Sequence, residues 1–249
     1  MTRHWTGYDR MAAHLEPAAR RLADIAQPAV GVVVDVGSGS GNGLRASRAV
    51  GSAIVGLELS AQQLAVAATL GVPQVRGDAA CLPFRSTSVA AVTSNFGVIF
   101  SPTVDACFAE IARVLRTDGR LVFTAWCDGG WPQAGLSCFA GHLHVHAPNF
   151  PVSLGAIDHT EAVLDAAGLV LDAAEEDLLT WECPDLDAAV ETITTAAGGL
   201  RALRRRLELA GSWNAAASDF RLLLAERARS TAAGIAIDDA YVLYQAVPR

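Results

Sequence analysis

The feature that most constrains the fold is an apolar segment that runs directly into a cluster of glycines. Residues 30–36 are mostly apolar, and residues 34–41 have the sequence VDVGSGSG. A continuous apolar run of this length is typical of a strand that is buried on both faces of a sheet. Glycines at alternate positions allow a tight turn and let a ligand approach main-chain N–H groups. The segment therefore predicts a ligand-binding turn between a buried strand and a helix.

Strands and helices alternate through the first half of the chain. The predicted strands cover residues 30–36, 53–59, 73–76, 89–94 and 120–126, the last one entered by a turn at Asp118-Gly119. The predicted helices cover residues 10–26, 41–50, 61–70 and 103–116. This alternation predicts an α/β fold, a doubly wound and mostly parallel sheet with helices on both faces.

The second half of the chain has a different pattern. Residues 128–157 show no clear periodicity, and residues 185–233 predict two helices separated near Gly211. Between them lie a short helix at 158–167, with Asp158 and Glu161 as a capping box and Gly168 after it, and a strand at 169–182. Residues 241–247 predict a last strand. These segments predict a helical insertion between the final two strands.

Composition excludes several classes of function. The chain has 249 residues, of which 51% are hydrophobic and 18% charged, so it is large enough for one domain with a sizeable core. The net charge of −7 offers no basic face for nucleic acid. All 19 positive side chains are arginines, which excludes a P-loop and a Schiff-base lysine.

The cysteines and the N-terminal sequence bear on location. The five cysteines include no C-x-x-C pair, so neither a zinc knuckle nor a disulfide framework is indicated, and we expect a cytoplasmic protein. The first residues contain no apolar signal region. No stretch approaches the ~18 apolar residues of a membrane span.

The spacing of the glycines argues against a dinucleotide site. The dinucleotide fingerprint G-x-G-x-x-G, started at Gly37, would end on Asn42, and started at Gly39 it would end on Leu44. The pattern present is G-x-G-x-G, preceded by Asp35.

Further polar residues follow the other predicted strands. Glu58 lies 21 residues after Gly37, at a strand end where a carboxylate can accept both hydroxyls of a ribose. Asp78 and Asn95 follow the third and fourth strands. Each has a plain structural alternative, an exposed charge or a turn residue. Together they predict one crevice outside the carboxyl ends of the strands.

With these segments in place, the chain resembles the class I S-adenosylmethionine-dependent methyltransferases. It is most similar to the group of ubiquinone/menaquinone-type and other small-molecule methyltransferases. The matching segments are VDVGSGSG, VGLELS, GDAACLPF and FAEIARVLRTDGRLVFTAW, in family order. The resemblance covers residues 8–126 well and the C-terminal third loosely. It implies a Rossmann-like, seven-stranded sheet with a helical cap, and S-adenosylmethionine as cofactor with S-adenosylhomocysteine as product.

The resemblance also implies a role for each site residue. The turn from Gly37 to Gly41 would pack against the methionine part, Asp35 would orient its amino group, and Glu58 would hold the ribose. The full set of implied cofactor residues is Tyr8, Asp35, Gly37, Ser38, Gly39, Gly41, Glu58, Leu59, Asp78, Ala79 and Asn95. In it, Leu59, Asp78 and Ala79 would meet the adenine, Asn95 would line the methionine side, and Tyr8 would close over the site.

No catalytic residue can be named from the sequence. A sulfonium methyl group is already activated, so alignment and exclusion of water are the main requirements. His142, His144 and His146 alternate and would share one face of a strand, but no carboxylate lies among them, so we predict no metal site. Candidate residues for the acceptor pocket are Trp131, His142 and His146. His14 is expected on a helix surface.

The sequence thus predicts one methyltransferase domain over residues 1–249. Within it we expect an N-terminal helical lid (1–28), a cofactor-binding core (30–127) and substrate-cap segments (128–157 and 185–235). The acceptor is expected to be a small apolar or aromatic molecule, methylated on oxygen, carbon or nitrogen, with no nucleic acid partner. A homodimer is left open. The alternatives are a cofactor-binding descendant that does not methylate, such as a pericyclase or scaffold, and an NAD-dependent oxidoreductase.

Overall fold

The computed structural model describes residues 6–28, 30–145, 154–196 and 198–249, without the side chains of residues 6–12, 198 and 199. The chain divides into two compact units. The sheet unit comprises Leu15–Cys127, Pro151–Asp177 and Tyr241–Arg249. The helical unit comprises Met1–His14, Asp128–Phe150 and Leu178–Ala240.

Strands and helices alternate as the sequence predicts. The strands are β1 Val32–Val36, β2 Ala53–Glu58, β3 Gln74–Arg76, β4 Val89–Asn95, β5 Leu115–Trp126, β6 Leu169–Cys183, β7 Ala228–Thr231 and β8 Gly234–Pro248. The helices are α1 Thr6–Ala26, α2 Asn42–Ala49, α3 Ala61–Ala67, α4 Val104–Val114, α5 Trp131–His142, α6 Ile157–Ala166, α7 Leu186–Ala196, α8 Gly198–Leu209 and α9 Trp213–Ala225.

The strand order confirms a doubly wound sheet. Seven strands follow the order β3-β2-β1-β4-β5-β8-β6, and β7 pairs with β8 off this path. The strands β1 to β5 pair in parallel, whereas β8 runs antiparallel to β5. The chain order reverses beside β1, because β2 lies on one side of it and β4 on the other. In an open α/β sheet this switch point is where ligands bind, at the carboxyl ends of the strands.

Burial explains why these segments fold as they do. Four of the five residues of β1 are buried, as expected for a central strand covered on both faces. On α4, Val104, Phe108 and Ile111 form a buried stripe at helical spacing. The Phe108 ring packs 5.2 Å from that of Phe123 on β5. Each such side chain, fully buried, contributes ~1.5–3 kcal/mol through removal of apolar surface from water.

The predicted turn at Asp118-Gly119 is wrong in one respect: it lies inside β5, which begins at Leu115. Val89 pairs with Leu115 and Ala91 with Arg120, so extra residues bulge from β5 opposite a short stretch of β4. A Cβ at Gly119 would lie 2.9 Å from the Arg116 carbonyl oxygen and 3.1 Å from that of Ala90. Glycine is needed here because two carbonyl groups approach the chain.

The segment 128–157, for which the sequence predicts no regular structure, contains α5. The buried residues of this helix share one face, but Gly135 is among them while Ala134 and Cys138 lie off it, so the contrast in hydrophobicity is too weak to show a period in the sequence. The alternating histidines do not share the face of a strand. His142 is the last residue of α5, and His144 lies in a turn with a φ of 51°. His146 lies outside the described residues.

Three further expectations need correction. Residues 185–233 form three helices and β7 rather than two helices, although the predicted break at Gly211 is confirmed, with a φ of 70°. The N-cap of α6 is Ala156 with no side-chain hydrogen bond, so the capping box is absent and Asp158 lies in the first turn. The last strand begins at Gly234 rather than at Tyr241.

The helical unit has an aromatic core of its own. The ring of Phe139 lies 5.1 Å from that of Phe220 and 5.8 Å from that of Trp213, both edge-on. A Cβ on Gly135 would collide with the Phe220 ring, so α5 and α9 pack closely. Across the residues that the structure describes, none of the helices is long and apolar enough to cross a membrane.

Candidate functional site

The glycine-rich turn is built from left-handed backbone. Gly37, Gly39 and Gly41 have φ values of 70°, 54° and 96°, a region that other residues adopt only with strain. The N–H groups of Gly37 and Ser38 both donate to the Leu57 carbonyl oxygen, at 2.8 and 3.1 Å. These bonds fix the turn to the end of β2.

The turn also lies against the loop that follows β4. A Cβ at Gly37 would lie 2.8 Å from the Cα of Gly97. Only glycine therefore fits at position 37, because any larger residue would separate these two loops. The turn, the end of β2 and the loop after β4 consequently meet at the predicted place, the carboxyl edge of the sheet.

Glu58 connects the turn to the end of β2. Its Oε2 accepts from the Gly39 N–H at 2.9 Å and its Oε1 accepts from the Ser60 N–H at 2.8 Å. Ser60 in turn caps α3 by accepting from the Gln63 N–H at 3.4 Å. A carboxylate has about four lone-pair sites, so Glu58 retains acceptor capacity beyond these two bonds. The side chain is half-buried, which leaves it accessible to a ligand.

Asp35 lies beneath the turn rather than at the surface. It is 1% exposed, and Thr93 Oγ1 donates to it at 3.0 Å. Its carboxylate touches the backbone of Gly43 at the start of α2, where a Cβ would collide with it. Burial raises the pKa of the Asp35 carboxyl to about 7; the Thr93 hydroxyl opposes this, and the Glu58 charge adds to it. Its contacts hold the turn and α2 in position.

Ser38 presents an unpartnered hydroxyl at the same turn. Its Oγ is buried and has no hydrogen-bond partner among the described residues. Buried polar groups are nearly always paired, and an unpaired one costs about 1–3 kcal/mol. The turn therefore offers a polar atom that a bound molecule can satisfy.

The end of β4 contributes Asn95, and the loop after it contributes an aromatic stack. Asn95 Nδ2 donates to the Leu15 carbonyl oxygen at 3.4 Å, and its Oδ1 accepts from Thr124 Oγ1 at 3.3 Å. Phe96 adopts a φ of 54°, and its ring stacks on Trp126 with centroids 3.9 Å apart. A left-handed bulky residue costs roughly 1 kcal/mol or more, so this stack and its surroundings enforce the geometry.

The remaining predicted cofactor residues lie at the ends of β2 and β3. Leu59 is 62% exposed, unusual for a large apolar side chain. Asp78 is exposed, and its Oδ1 accepts from the Ala80 N–H at 2.9 Å, in a turn. Ala79 is half-buried. Arg76 Nε donates to the Leu59 carbonyl oxygen at 3.2 Å, so the two strand ends are connected.

Tyr8, Trp131 and His142 belong to the helical unit. Tyr8 is part of α1, and its side chain is outside the described residues. Trp131 begins α5 in the helical unit. His142 Nε2 lies 2.8 Å from Asp219 Oδ2, so its ring is engaged by a neighbouring helix of the same unit. Among the described residues, no group of three or more His, Cys, Asp and Glu side chains could hold a metal ion.

The expectation that His14 lies on a helix surface is wrong. It is 7% exposed. His14 is spaced by four from Ala18 and by eight from Leu22, which are both buried, so it continues their stripe along α1. This spacing is a signal in the sequence that predicts burial of His14.

Comparisons with known proteins find sequence similarity to methyltransferases over part of the chain. Residues 34–123, from the turn to β5, match the family model described as a methyltransferase domain. A demethylmenaquinone methyltransferase of Mycolicibacterium gilvum is 35% identical over 134 residues, which are 54% of this chain and 52% of that protein. The nocamycin O-methyltransferase of Saccharothrix syringae is 36% identical over 119 residues, which are 43% of this chain and 42% of that protein. The chain thus spans about half the length of the curated relatives that it matches.

Solved structures share the fold over nearly the whole chain. A protein of Bacillus halodurans superposes with a TM-score of 0.64 at 17% identity, covering 94% of this chain and all of that one. At this identity the likeness shows the fold alone. The family model covers the glycine turn, β2 and β4. Residues 34–123 therefore match a methyltransferase domain, in agreement with the resemblance of the sequence to the class I S-adenosylmethionine-dependent methyltransferases.

Proposed function

We propose that the glycine-rich turn binds S-adenosylmethionine and that the protein transfers the methyl group of this cofactor to a small molecule. The observation that carries the proposal is the double hydrogen bonding of Glu58, which joins Gly39 of the turn to Ser60 after β2. This places a half-buried carboxylate with spare lone pairs beside a glycine turn, an arrangement that suits a ribose diol next to a polar tail.

The residues present fit the cofactor. The turn from Gly37 to Gly41 and the unpartnered Ser38 hydroxyl suit the polar methionine part, and Asn95 offers an amide on the same side. The exposed Leu59 provides an apolar surface for the adenine. Asp78 and Ala79, at the end of β3, would meet the edge of that ring. Tyr8 remains a predicted lid residue.

The cofactor supplies an activated methyl group when bound. The chain then has to orient the acceptor in line with that group and exclude water. We assign no general base, because such a group is needed only when the acceptor atom starts protonated. We propose residues 1–28 as a lid and residues 128–157 and 185–235 as substrate-cap segments.

We propose an apolar or aromatic acceptor. The relatives named above act, by their names, on demethylmenaquinone and on nocamycin. In this chain the neighbouring rings of Trp131 and Trp181 in the helical unit would give such a molecule apolar surroundings. Acceptor screening should therefore begin with phenols and quinones.

The experiment for the proposed site is calorimetric titration of Glu58→Gln with S-adenosylhomocysteine. The amide keeps the shape of the side chain but loses the charge and part of the acceptor capacity. We expect affinity to fall by about 1–3 kcal/mol. Glu161→Gln, an exposed change on α6, is the matched control and should bind like the wild type. Unchanged affinity of Glu58→Gln would remove Glu58 from the site.

The transfer itself needs a separate assay. Incubation with methyl-labelled S-adenosylmethionine and an acceptor panel should give a labelled organic product. Cofactor binding without label transfer to any member of a broad panel would favour a non-methylating descendant, such as a pericyclase or scaffold.

A further inference from the structure

The helical unit contains a cluster of buried polar side chains whose outer atoms have no partner. His14, Trp131 and Asp239 are 7%, 3% and 2% exposed. The indole Nε1 of Trp131 and Oδ2 of Asp239 make no hydrogen bond among the described residues, and the His14 ring has only the Thr180 backbone as a partner, so at least one of its two nitrogens is unpaired. The glycine turn in the sheet unit has one such atom, on Ser38.

These side chains are neighbours. The His14 ring lies 5.8 Å from the Trp181 ring at an interplanar angle of 43°. The Trp181 ring lies 6.1 Å from the Trp131 ring at 37°. The backbone N–H of Trp131 donates to the Asp239 carboxylate. A series of contacts therefore connects the side chains that carry the unpartnered atoms. The tilted rings of Trp131 and Trp181 add flat apolar surface to this cluster.

Such a cluster is unfavourable unless something satisfies it. A buried polar atom has given up its hydrogen bonds to water, and each unpaired group retains that full desolvation cost. Native proteins contain few such groups, and those that occur are concentrated where a ligand or an ordered water completes the network. Several in one cluster point to a bound partner.

The donor and acceptor types restrict that partner. The indole N–H of Trp131 can only donate, so the partner must accept. A neutral imidazole has one donor and one acceptor nitrogen, so the partner must also supply a proton to His14. A hydroxyl group does both, and the rings of Trp131 and Trp181 suit an aromatic body for it.

The charge state of the cluster also favours an uncharged partner. Burial lowers the pKa of His14 to about 4, weakly opposed by the Thr180 backbone, so the ring is neutral at physiological pH. Burial raises the pKa of Asp239 to about 8, opposed by the Arg227 charge and the Trp131 backbone N–H. A cluster whose own groups are uncharged disfavours a charged ligand, and the Arg227 guanidinium, whose charge reaches Asp239, already donates to the Leu223 and Gly129 carbonyl oxygens.

We propose that His14, Trp131 and Asp239 form a recognition site for an uncharged aromatic molecule with a hydroxyl group, which is the methyl acceptor if the proposed function holds. Trp131 is among the residues that the sequence suggests for the acceptor pocket; His14 and Asp239 are added by the structure.

The test uses three probes of the same body: 2-naphthol, naphthalene and 2-naphthoate. Each is titrated into the full-length protein by calorimetry, with and without saturating S-adenosylhomocysteine. We expect 2-naphthol to bind about tenfold more tightly than either other probe, the ratio that one hydrogen bond supports. Equal binding of 2-naphthol and naphthalene, tighter binding of 2-naphthoate, or binding of none of the three would overturn the proposal.

Two substitutions separate recognition from packing. Trp131→Phe removes the unpartnered N–H and keeps an aromatic ring, so 2-naphthol affinity should fall about tenfold while naphthalene affinity changes little. Trp181→Phe is the matched control and should weaken both probes alike. A Trp131→Phe protein that binds 2-naphthol like the wild type would contradict the role of this residue.

The two titrations distinguish failure of the recognition site from failure of the proposed function. Binding of S-adenosylhomocysteine without binding of 2-naphthol overturns the recognition site and leaves the cofactor site standing. Binding of 2-naphthol without S-adenosylhomocysteine leaves the recognition site and overturns the proposed function.

Discussion

The glycine-rich turn of the sheet unit and the buried polar cluster of the helical unit differ in how their polar groups are satisfied. At the turn, the chain pairs most of them: the Leu57 carbonyl accepts two N–H groups and Glu58 accepts two more. In the cluster, atoms of His14, Trp131 and Asp239 have no partner among the described residues. The turn is preorganised by its own fold, whereas the cluster is complete only with a partner.

The sequence specifies the two sites in different ways. The turn depends on residues that are close in sequence and on the strand that follows, so short motifs reveal it. The cluster draws on positions 14, 131, 181 and 239, which the fold brings together. Changes in the backbone of the preorganised turn should therefore lower stability and ligand binding. Removal of unpartnered polar atoms from the buried cluster should instead raise the free energy of unfolding.

The largest effect is expected for Gly37→Ala. The new Cβ would meet the backbone of Gly97 at 2.8 Å, at a position with a φ of 70°. We expect a loss of about 3 kcal/mol or more in the free energy of unfolding and loss of S-adenosylhomocysteine binding. Denaturant unfolding and calorimetry measure the two effects.

The control for this change is Gly71→Ala. Its φ is 64°, but nothing lies within 4 Å of the new Cβ, so only the backbone strain remains. We expect a loss of about 1 kcal/mol and normal ligand binding. If both variants lose the same stability, the close approach of the two loops is not what requires glycine at position 37.

A smaller effect is expected for Asp239→Asn as pH is raised. The folded pKa of Asp239 is about 8, above the ordinary 3.8, so the native state holds a proton that the unfolded chain gives up. The stability that the protonated Asp239 carboxyl contributes is therefore fully present below pH 3.8 and is lost as the pH rises toward 8. The amide cannot ionise, so at pH 8 the variant should exceed the wild type by on the order of 2–5 kcal/mol.

The measurement is urea unfolding of both proteins between pH 5 and pH 8, a window in which the difference between them should grow steadily. Asp238→Asn, whose side chain is hydrogen-bonded to Thr180 and Arg229, is the control and should not gain stability as the pH rises. A difference that stays constant across this range would show that Asp239 ionises normally in the folded protein.

The smallest effect is expected for His14→Leu, with the opposite sign of pH dependence. The folded pKa of His14 is about 4, below the ordinary 6.5, because the buried ring stays neutral. The native protein therefore keeps its full stability above pH 6.5 and loses part of it as the pH falls toward 4. The variant should lack this decline and exceed the wild type by about 1–3 kcal/mol at pH 4. His159→Leu, on α6, is the control. Equal acid sensitivity of wild type and His14→Leu would place the His14 ring in contact with water.

Much of the sheet unit is predictable because local patterns determine it. The apolar run of β1, the stripe of α4 and the three glycines each predict an element that the structure contains. The prediction fails where the two faces of an element differ little in hydrophobicity. The helix α5 is buried on one face, but that face contains Gly135 and the other carries Ala134 and Cys138, so its sequence shows no clear period.

The candidate site divides in the same way. The positions of Glu58 and Asn95 follow from their places at strand ends, which sequence reasoning locates well. The burial of Asp35 beneath the turn depends on contacts with Thr93 and Gly43. No sequence motif identifies Asp239, because the group that contacts it, the backbone N–H of Trp131, belongs to α5 and is distant in sequence.

The most direct test of the central claim is a pair of calorimetric titrations of the full-length protein, with S-adenosylhomocysteine and with NADH. We predict micromolar binding of S-adenosylhomocysteine, abolished in Gly37→Ala and retained in Gly71→Ala, and no binding of NADH. Binding of NADH alone, or of neither molecule, would contradict the assignment of the glycine-rich turn to S-adenosylmethionine.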